Sequence, residues 1–307
     1  QALASWVAQR TGNEEILDPM FEGASSARQP YRELLDIYIR EQTANYTVVV
    51  VYGEGQGRHL AVTPLHTATR LAADPHQASP AFFVAVEHPG RGTLRYPGAP
   101  CRLSLTPWRI SGPAPRPGEH NGELDDVLDR WRQRSEPSTA SAAAQPGAAA
   151  TSALAGLRVV EFTAGMAGPW IGRYLAWCGA DVIKVESRDY PDVTRLYVPP
   201  GQSELGVQPE MSPWFTDWNA GKRFVALDLR KPEGAALASQ LVAHCDVVID
   251  NNANGVLEKL GLGFERLRAI KEDLILFSST GFGERGPDAN YISWGPNIET
   301  LSGLSSL

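Results

Sequence analysis

What this 307-residue chain lacks narrows the field first. It has three cysteines, Cys101, Cys178 and Cys245, an odd number set far apart. They form neither a disulfide framework nor a zinc site, and they suit a reducing, cytoplasmic compartment. No apolar run comes near the roughly 18 residues that a membrane helix needs. Lysine and arginine number 28 against 35 aspartates and glutamates, a formal charge of −7. That balance excludes a broad cationic face for nucleic acid or for an acidic lipid surface, though not a local basic site for a phosphorylated ligand. His59, His66, His76, His88, His120 and His244 show no metal-ligand spacing, so no metal site is expected. No signal peptide is visible, and the chain opens at Gln1 rather than Met, so the expectation is that the true N-terminus lies upstream.

What is present is ordinary soluble composition, 43% hydrophobic and 21% charged, in a length that accommodates more than one domain. Residues 135–152 are almost entirely Ser, Ala, Thr, Pro, Gly and Gln, with no large apolar side chain to pack. They read as a flexible linker between residues 1–134 and 153–307. Before it, apolar spacing predicts a helix over 31–42 and a strand over 46–52. A helix is expected over 67–72, two strands over 81–87 and 93–96, and an amphipathic helix over 123–132. The run GEGQG at 53–57 resembles a phosphate loop but lacks a Lys-Ser or Lys-Thr ending and a following helix, so it reads as a turn. This half reads as the end of a domain whose beginning is absent.

After the linker, strands and helices alternate. Strands are expected over 157–162, 182–185, 224–227, 247–249 and 274–277. Helices are expected over 170–177, 233–244, 256–260, 264–270 and 298–304, with a long loop from 186 to 219. Such alternation implies a parallel sheet with both faces covered. The first loop, at Gly165, is not GxGxxG, so a dinucleotide cofactor is not expected. Asp288, in a Gly-Pro-Asp turn, reads as a solvated turn residue.

The motifs then carry a resemblance. In order they are LRVVEFT (157–163) with AGP (167–169), LAWCGADVIKVE (175–186), NAGKR (219–223), ALDLRKPEG (226–234), DVVIDN (246–251), GVLEKLGLG (255–263), SSTGFGERGP (278–287) and LSGL (301–304). Together they resemble the opening part of a class III CoA-transferase, the CaiB/BaiF family. DPHQASPAFFVAVEHP (74–89), GTLRYPGAP (92–100) and GEHNGE (118–123) resemble that family's closing segments. The resemblance implies an excerpt of a tandem fusion: the tail of one copy, a linker, and the head of a second. The alternative for residues 1–134 is an unrelated capping domain. The fold expected is α/β, with an incomplete Rossmann-like parallel sheet beside a mixed α+β remnant of a preceding copy.

The resemblance further implies CoA transfer between carboxylic acids through an aspartyl anhydride, acyl-CoA being a substrate and no cofactor being permanently bound. The nucleophilic Asp of the family lies downstream of the Ser-Gly-Leu element, here Ser302-Gly303-Leu304, so no catalytic residue is assigned within this chain. By carry-over, Gly165 and Met166 approach the pantetheine arm, Leu227 lines the adenine slot, Arg230 faces a phosphate and Lys259 adds a second cation. Asn251 hydrogen-bonds the ligand at a strand end. Arg188 stands one place beyond an Arg common in the family. Taken without the resemblance, Arg230 and Lys259 read as solvated, Leu227 as core, and Asn251-Asn252 as a strand-end turn. Asn252 replaces a usual aromatic and Ala253 a usual Arg, departures that weaken the expected CoA site of the second copy. Trp294 holds the place of the His that shuttles protons in the racemase branch, and an indole cannot do so. The partners implied are acyl-CoA and acids, in an interlocked dimer or an intramolecular pseudo-dimer. A non-catalytic pseudo-domain supporting an active half, and an acyl-CoA racemase, are the alternatives.

Overall fold

The computed structural model describes residues 1–22, 28–78, 82–134, 152–197 and 212–307. Apart from Ser152, the linker assigned to 135–152 lies outside them.

In the first segment, helices α1 (Ala2–Thr11) and α2 (Arg32–Ala44) close on a core of Val7, Ile16, Phe21 and Tyr38. Phe21 sits edge-on to Tyr31 and Tyr38, with ring centroids 5.8 and 6.1 Å away. The strand expected over 46–52 is a helix instead, α3 (Val48–Gly57), and the turn expected at 53–57 is its last part. Four successive valines favour a strand only where a ladder partner exists. Here Val48, Val49 and Val50 are exposed, and the helix supplies its own backbone bonds, capped by the Thr47 hydroxyl. Gly55 is needed for close approach: a Cβ there would stand 2.9 Å from Val62 Cγ2. Helices α4 (Ala68–Ala73) and α5 (Pro75–Ala78) follow, then the antiparallel hairpin β1 (Phe83–His88) and β2 (Gly92–Pro97), then α6 (Leu124–Arg134).

The second segment builds a five-stranded, wholly parallel sheet. Its strands are β3 (Arg158–Phe162), β4 (Asp181–Glu186), β5 (Arg223–Ala226), β6 (Val247–Asp250) and β7 (Ile275–Ser278), in spatial order β5-β4-β3-β6-β7. Helix α7 (Ala167–Trp177) packs across β3, β4 and β6. It ends in two bonds, Gly179 N–H to Ala176 and Ala180 N–H to Leu175, around Gly179 at φ 97°, the arrangement that closes a helix on a left-handed residue. The loop expected from 186 to 219 contains a 3₁₀ turn (Val193–Leu196) and a short helix α8 (Pro213–Trp218), which Arg173 holds to α7 through Asp217 at 2.8 Å. Helices α9 (Pro232–Ala243), α10 (Val256–Lys259), α11 (Phe264–Ile270) and α12 (Gly295–Leu301) complete the order.

Side-chain alternation along the strands sorts the core into two layers. Val159, Val182 and Ile249 meet Ile171 and Leu175 of α7. Val160, Phe162, Val185 and Val248 meet Ala238 and Val242 of α9 and Leu267 of α11. The chain leaves β3 toward β4 and β5, then returns to the other side for β6 and β7. The mouth of the sheet therefore opens between the carboxyl ends of β3 and β6, where strand order reverses.

The two segments meet through side chains of one seated on backbone of the other. Buried Gln56 donates to the carbonyls of Val62 and Ile292, both at 2.9 Å, and accepts the Ile292 N–H at 2.9 Å. His76 Nε2 donates to the Phe282 carbonyl at 2.6 Å while its Nδ1 accepts the Asp288 N–H at 3.1 Å. Asn297 donates to Ala61 and Thr63. Asp288, expected to be solvated, is half-buried and accepts the Tyr52 hydroxyl at 2.8 Å; its turn is covered by α3 and α5 rather than by water.

Replacing buried Gln56 by Leu strips the partly buried Ile292 peptide groups of both their partners. The expected cost is about 2–3 kcal/mol, since an unmade buried hydrogen bond leaves the full desolvation penalty behind. Urea unfolding of wild type and Gln56→Leu measures it.

Candidate functional site

The positions named from the sequence lie just past the carboxyl ends of strands, except Lys259, which is the last residue of α10. Gly165 and Met166 follow β3, Arg188 follows β4, Leu227 and Arg230 follow β5, and Asn251 and Lys259 follow β6. A parallel sheet puts all these ends on one edge, which is where open α/β sheets bind ligands.

Gly165 adopts φ 75°, a left-handed conformation that suits glycine. It turns the chain from β3 into α7 and leaves Met166 half-exposed. Asn251 faces this loop. Its amide oxygen accepts the Ala164 N–H at 2.9 Å and its amide nitrogen donates to the Ala164 carbonyl at 2.8 Å. Asn251 therefore clamps the loop in this structure. Asn252, where an aromatic was expected by resemblance, donates to the Phe162 carbonyl at 2.9 Å and to Asp250 at 2.7 Å. Burial pushes the Asp250 carboxyl above the ordinary range, although the two Asn252 N–H groups oppose this.

The cations are placed differently from one another. The Arg230 guanidinium is held by Asp228 at 2.8 Å and Asp189 at 2.7 Å and lies over the Tyr190 ring. Arg188 and Lys259 are exposed. Leu227 packs partly on the core layer under α9 and also lines a cavity of about 670 Å³ with Val225, Ile183, Leu237 and Leu241. That cavity also reaches Arg158 and Asp181 at the amino ends of β3 and β4 and His244 after α9, so it runs along the α9 face of the sheet, away from the carboxyl edge.

The sequence reading passed over the residues beneath the loop. Glu161 and Lys184 are register partners on β3 and β4, on the face toward α7. With Asp192 and Lys222 they form a group of four charges whose side chains are fully buried. Lys184 Nζ lies 3.0 Å from Asp192 and 3.5 Å from Glu161, and Lys222 Nζ lies 2.8 Å from Glu161. Buried charges persist only when paired and hydrogen-bonded, and here two ammoniums meet two carboxylates. Gly172 is required beside them, because a Cβ would stand 1.8 Å from Glu161 Oε2. Asp192 reaches the group because the segment after β4 folds back: Glu186 accepts the Asp192 N–H at 2.8 Å and takes the Arg195 guanidinium in a fork. The signal for this group was a single charged residue inside each of two β-branched runs, VVEF and VIKV.

With this geometry in place, comparison with known proteins is decisive on one point. The sequence profile of CoA-transferase family III matches residues 2–121 and 154–307. The chain belongs to that family. A succinate–glutarate CoA-transferase of Agrobacterium fabrum is 41% identical over 154 residues, 50% of this chain and 38% of that protein. A probable CoA-transferase, Rv1866, of Mycobacterium tuberculosis is 28% identical over 311 residues, 99% of this chain and 36% of its own length. Among solved structures, a CaiB/BaiF family protein from Brucella suis is 42% identical, covers 52% of this chain and 41% of its own, and superimposes with a TM-score of 0.47. The chain spans well under half the length of these relatives. No helix among the described residues is long and apolar enough to cross a membrane.

The buried group makes a pH prediction. Burial pushes the Lys222 ammonium down to about 8, with Glu161 opposing, against an ordinary value of 10.5. Between about pH 8 and pH 10.5 the unfolded chain holds a proton that the folded chain has released, so stability contributed at this lysine rises with pH, by roughly 2–3 kcal/mol in all. Lys222→Met lacks that proton. Urea unfolding of wild type and variant across this window should show their difference in stability growing in favour of wild type.

Proposed function

We propose that the intact protein moves CoA from one carboxylic acid to another. The observation that carries this reading is the family match over both segments. The gathering of the loop, Asn251 and the cationic positions along one edge of the sheet supports it. In the proposed reaction an aspartate carboxylate attacks the acyl-CoA carbonyl, the C–S bond breaks, and a mixed anhydride and CoA thiolate result. The thiolate attacks the aspartyl carbonyl and releases the donor acid. The acceptor carboxylate then runs the same steps in reverse, so the cycle is redox-neutral and the aspartate is regenerated.

We assign the attacking carboxylate to no aspartate of this chain. Asp192 is enclosed by Lys184 and Thr194, Asp250 by Asn252, and Asp288 by Tyr52. The chain's own contribution is to bind and orient. Gly165 and Met166 border the pantetheine arm, Leu227 the adenine, and Arg230, Lys259 and Arg188 the phosphates. Arg230 exchanges Asp189 for a phosphate on binding, and the second amide hydrogen of Asn251 serves the ligand.

Residues 1–134 are read as the closing part of a first copy and 153–307 as the Rossmann-like opening of a second. Two observations support this: the family match falls into two stretches, and one relative aligns across 99% of the chain. The bonds from Gln56, His76 and Asn297 fit a pseudo-dimer made within one chain. The three free cysteines fit a cytoplasmic enzyme. A second reading, a supporting half that does not itself turn over, is favoured by the two carboxylates on Arg230 and by Asn252 standing where an aromatic is usual.

Succinyl-CoA and glutarate form the first test pair, after the name of the Agrobacterium relative. The intact protein is expected to yield glutaryl-CoA and succinate, with mass spectrometry capturing an acyl or CoA adduct on an aspartate of the second copy. An adduct confined to the first copy selects the supporting role. Deuterium entering the α-carbon without CoA exchange would make the protein a racemase and end the transferase reading.

A further inference from the structure

The loop 163–169 is anchored from below by charged groups reaching it from three other places in the fold. Lys184 Nζ, from β4, donates to the Thr163 carbonyl at 2.7 Å and lies 3.2 Å from its hydroxyl. Lys222 Nζ, from the turn before β5, donates to the Pro169 carbonyl at 2.8 Å. Asp192, from the segment after β4, accepts the Gly165 N–H at 3.0 Å through Oδ1, the same oxygen that takes the Thr194 N–H at 3.0 Å and hydroxyl at 2.8 Å. Its other oxygen faces Lys184. Of these anchors, only Asp192 grips the left-handed residue on which the loop turns.

A structural role alone does not require this arrangement. Four buried charges are, as a rule, no more stabilising than apolar side chains of similar volume. What the charges add is direction: their polar atoms point at successive backbone groups of one loop, whose outer residues Ala164, Met166 and Ala167 are exposed. The loop is held from below, by Asp192 and the lysines, and from the side, by Asn251. Its outward edge is therefore set before any ligand arrives, which lowers the ordering cost of binding.

We propose that Asp192 is a positioning residue for the CoA thioester: paired with Lys184, it fixes the Gly165 backbone so that the loop presents a preset edge to the pantetheine arm. This inference rests on the CoA-transferase reading. Asp192 touches no substrate; it acts through the loop. Thr194 and Glu186 place Asp192, and Lys184 orients it.

The test uses the intact protein, with free CoA as the calorimetric probe and amide hydrogen exchange across residues 162–168 as a second readout. In Asp192→Ala the Gly165 amide loses its acceptor, so exchange over that stretch accelerates. CoA affinity falls about tenfold or more, as misplacement of a positioning element predicts. Asp192→Asn keeps an oxygen for Gly165 and restores most of the affinity. If Asp192→Ala does not fold, the neutral pair Lys184→Met with Asp192→Leu removes the tether without leaving a lone buried charge, and the same loss of affinity is expected. A folded Asp192→Ala, or the folded double variant, that binds CoA within about twofold of wild type overturns the inference, whatever its thermal stability, because a merely structural role lowers stability without moving affinity. If wild type itself binds no CoA, the transferase reading falls and takes this inference with it.

Discussion

The register between β3 and β4 governs the rest of the second segment. It sets Glu161 beside Lys184 on the face that α7 covers. Once two opposite charges are buried side by side, the interior must supply every remaining bond they need. Lys222 and Asp192 supply ion pairs, Glu161 Oε2 being left without a hydrogen bond, and each can only be reached if its own segment follows one path. The turn before β5 must bring Lys222 under the first turn of α7, and the chain after β4 must fold back on Glu186 to deliver Asp192. A slip of one residue between the strands would turn Lys184 to the opposite face, take the ammonium from Asp192 and leave Glu161 with Lys222 alone. The network thus specifies a single arrangement of three loops at the carboxyl edge, where a site belongs.

The contact between the two segments works by a different rule. Side-chain amides and the His76 imidazole bond main-chain groups across it, beside the ring contacts Tyr52–Tyr291 and His76–Phe282. His76 uses both ring nitrogens on residues of one turn, which fixes the neutral tautomer protonated at Nε2. Gly286 makes this approach possible, since a Cβ there would stand 2.6 Å from His76 Nδ1. Bonds to backbone carry little information about neighbouring side chains but a great deal about chain path, so the contact recognises the shape of the turn 280–292.

That difference explains what was legible beforehand. The five parallel strands were visible because β-branched runs at regular intervals have few other ways to be buried. Asn251 was named through the resemblance, as a ligand contact at a strand end, and its bonds to the Ala164 peptide had no signal in the sequence. The Glu161–Lys184 pair was not found, although each residue stood out in its run, because pairing depends on register and register is not written in either strand alone. Asp192 was hidden in a stretch read as plain loop. Gln56 and His76 meet partners 236 and 206 residues away through backbone, and no local pattern signals that. The valine run 48–51 misled because strand propensity reflects a packed, paired setting rather than the residues themselves. With no ladder beside it and Thr47 in front, the same run is a helix.

Arg230 and Asn251 show how polar groups at such an edge are satisfied within the protein. An unpaired guanidinium or amide at a half-buried edge loses favourable interactions with water. Both are instead satisfied within the protein, Arg230 by two carboxylates and Asn251 by the Ala164 peptide. On the proposed reading a CoA phosphate competes with Asp189, an exposed carboxylate with one bond to Arg230, and not with Asp228, whose bonds to the Arg230 N–H and Nε hold the side chain in place. Exchanging one charge-assisted bond for another leaves little net energy. Affinity then has to come from apolar contact at Leu227 and from a loop that needs no ordering. On that reading, rigidity beneath Gly165, more than the number of cations above it, is the quantity on which recognition at this edge turns.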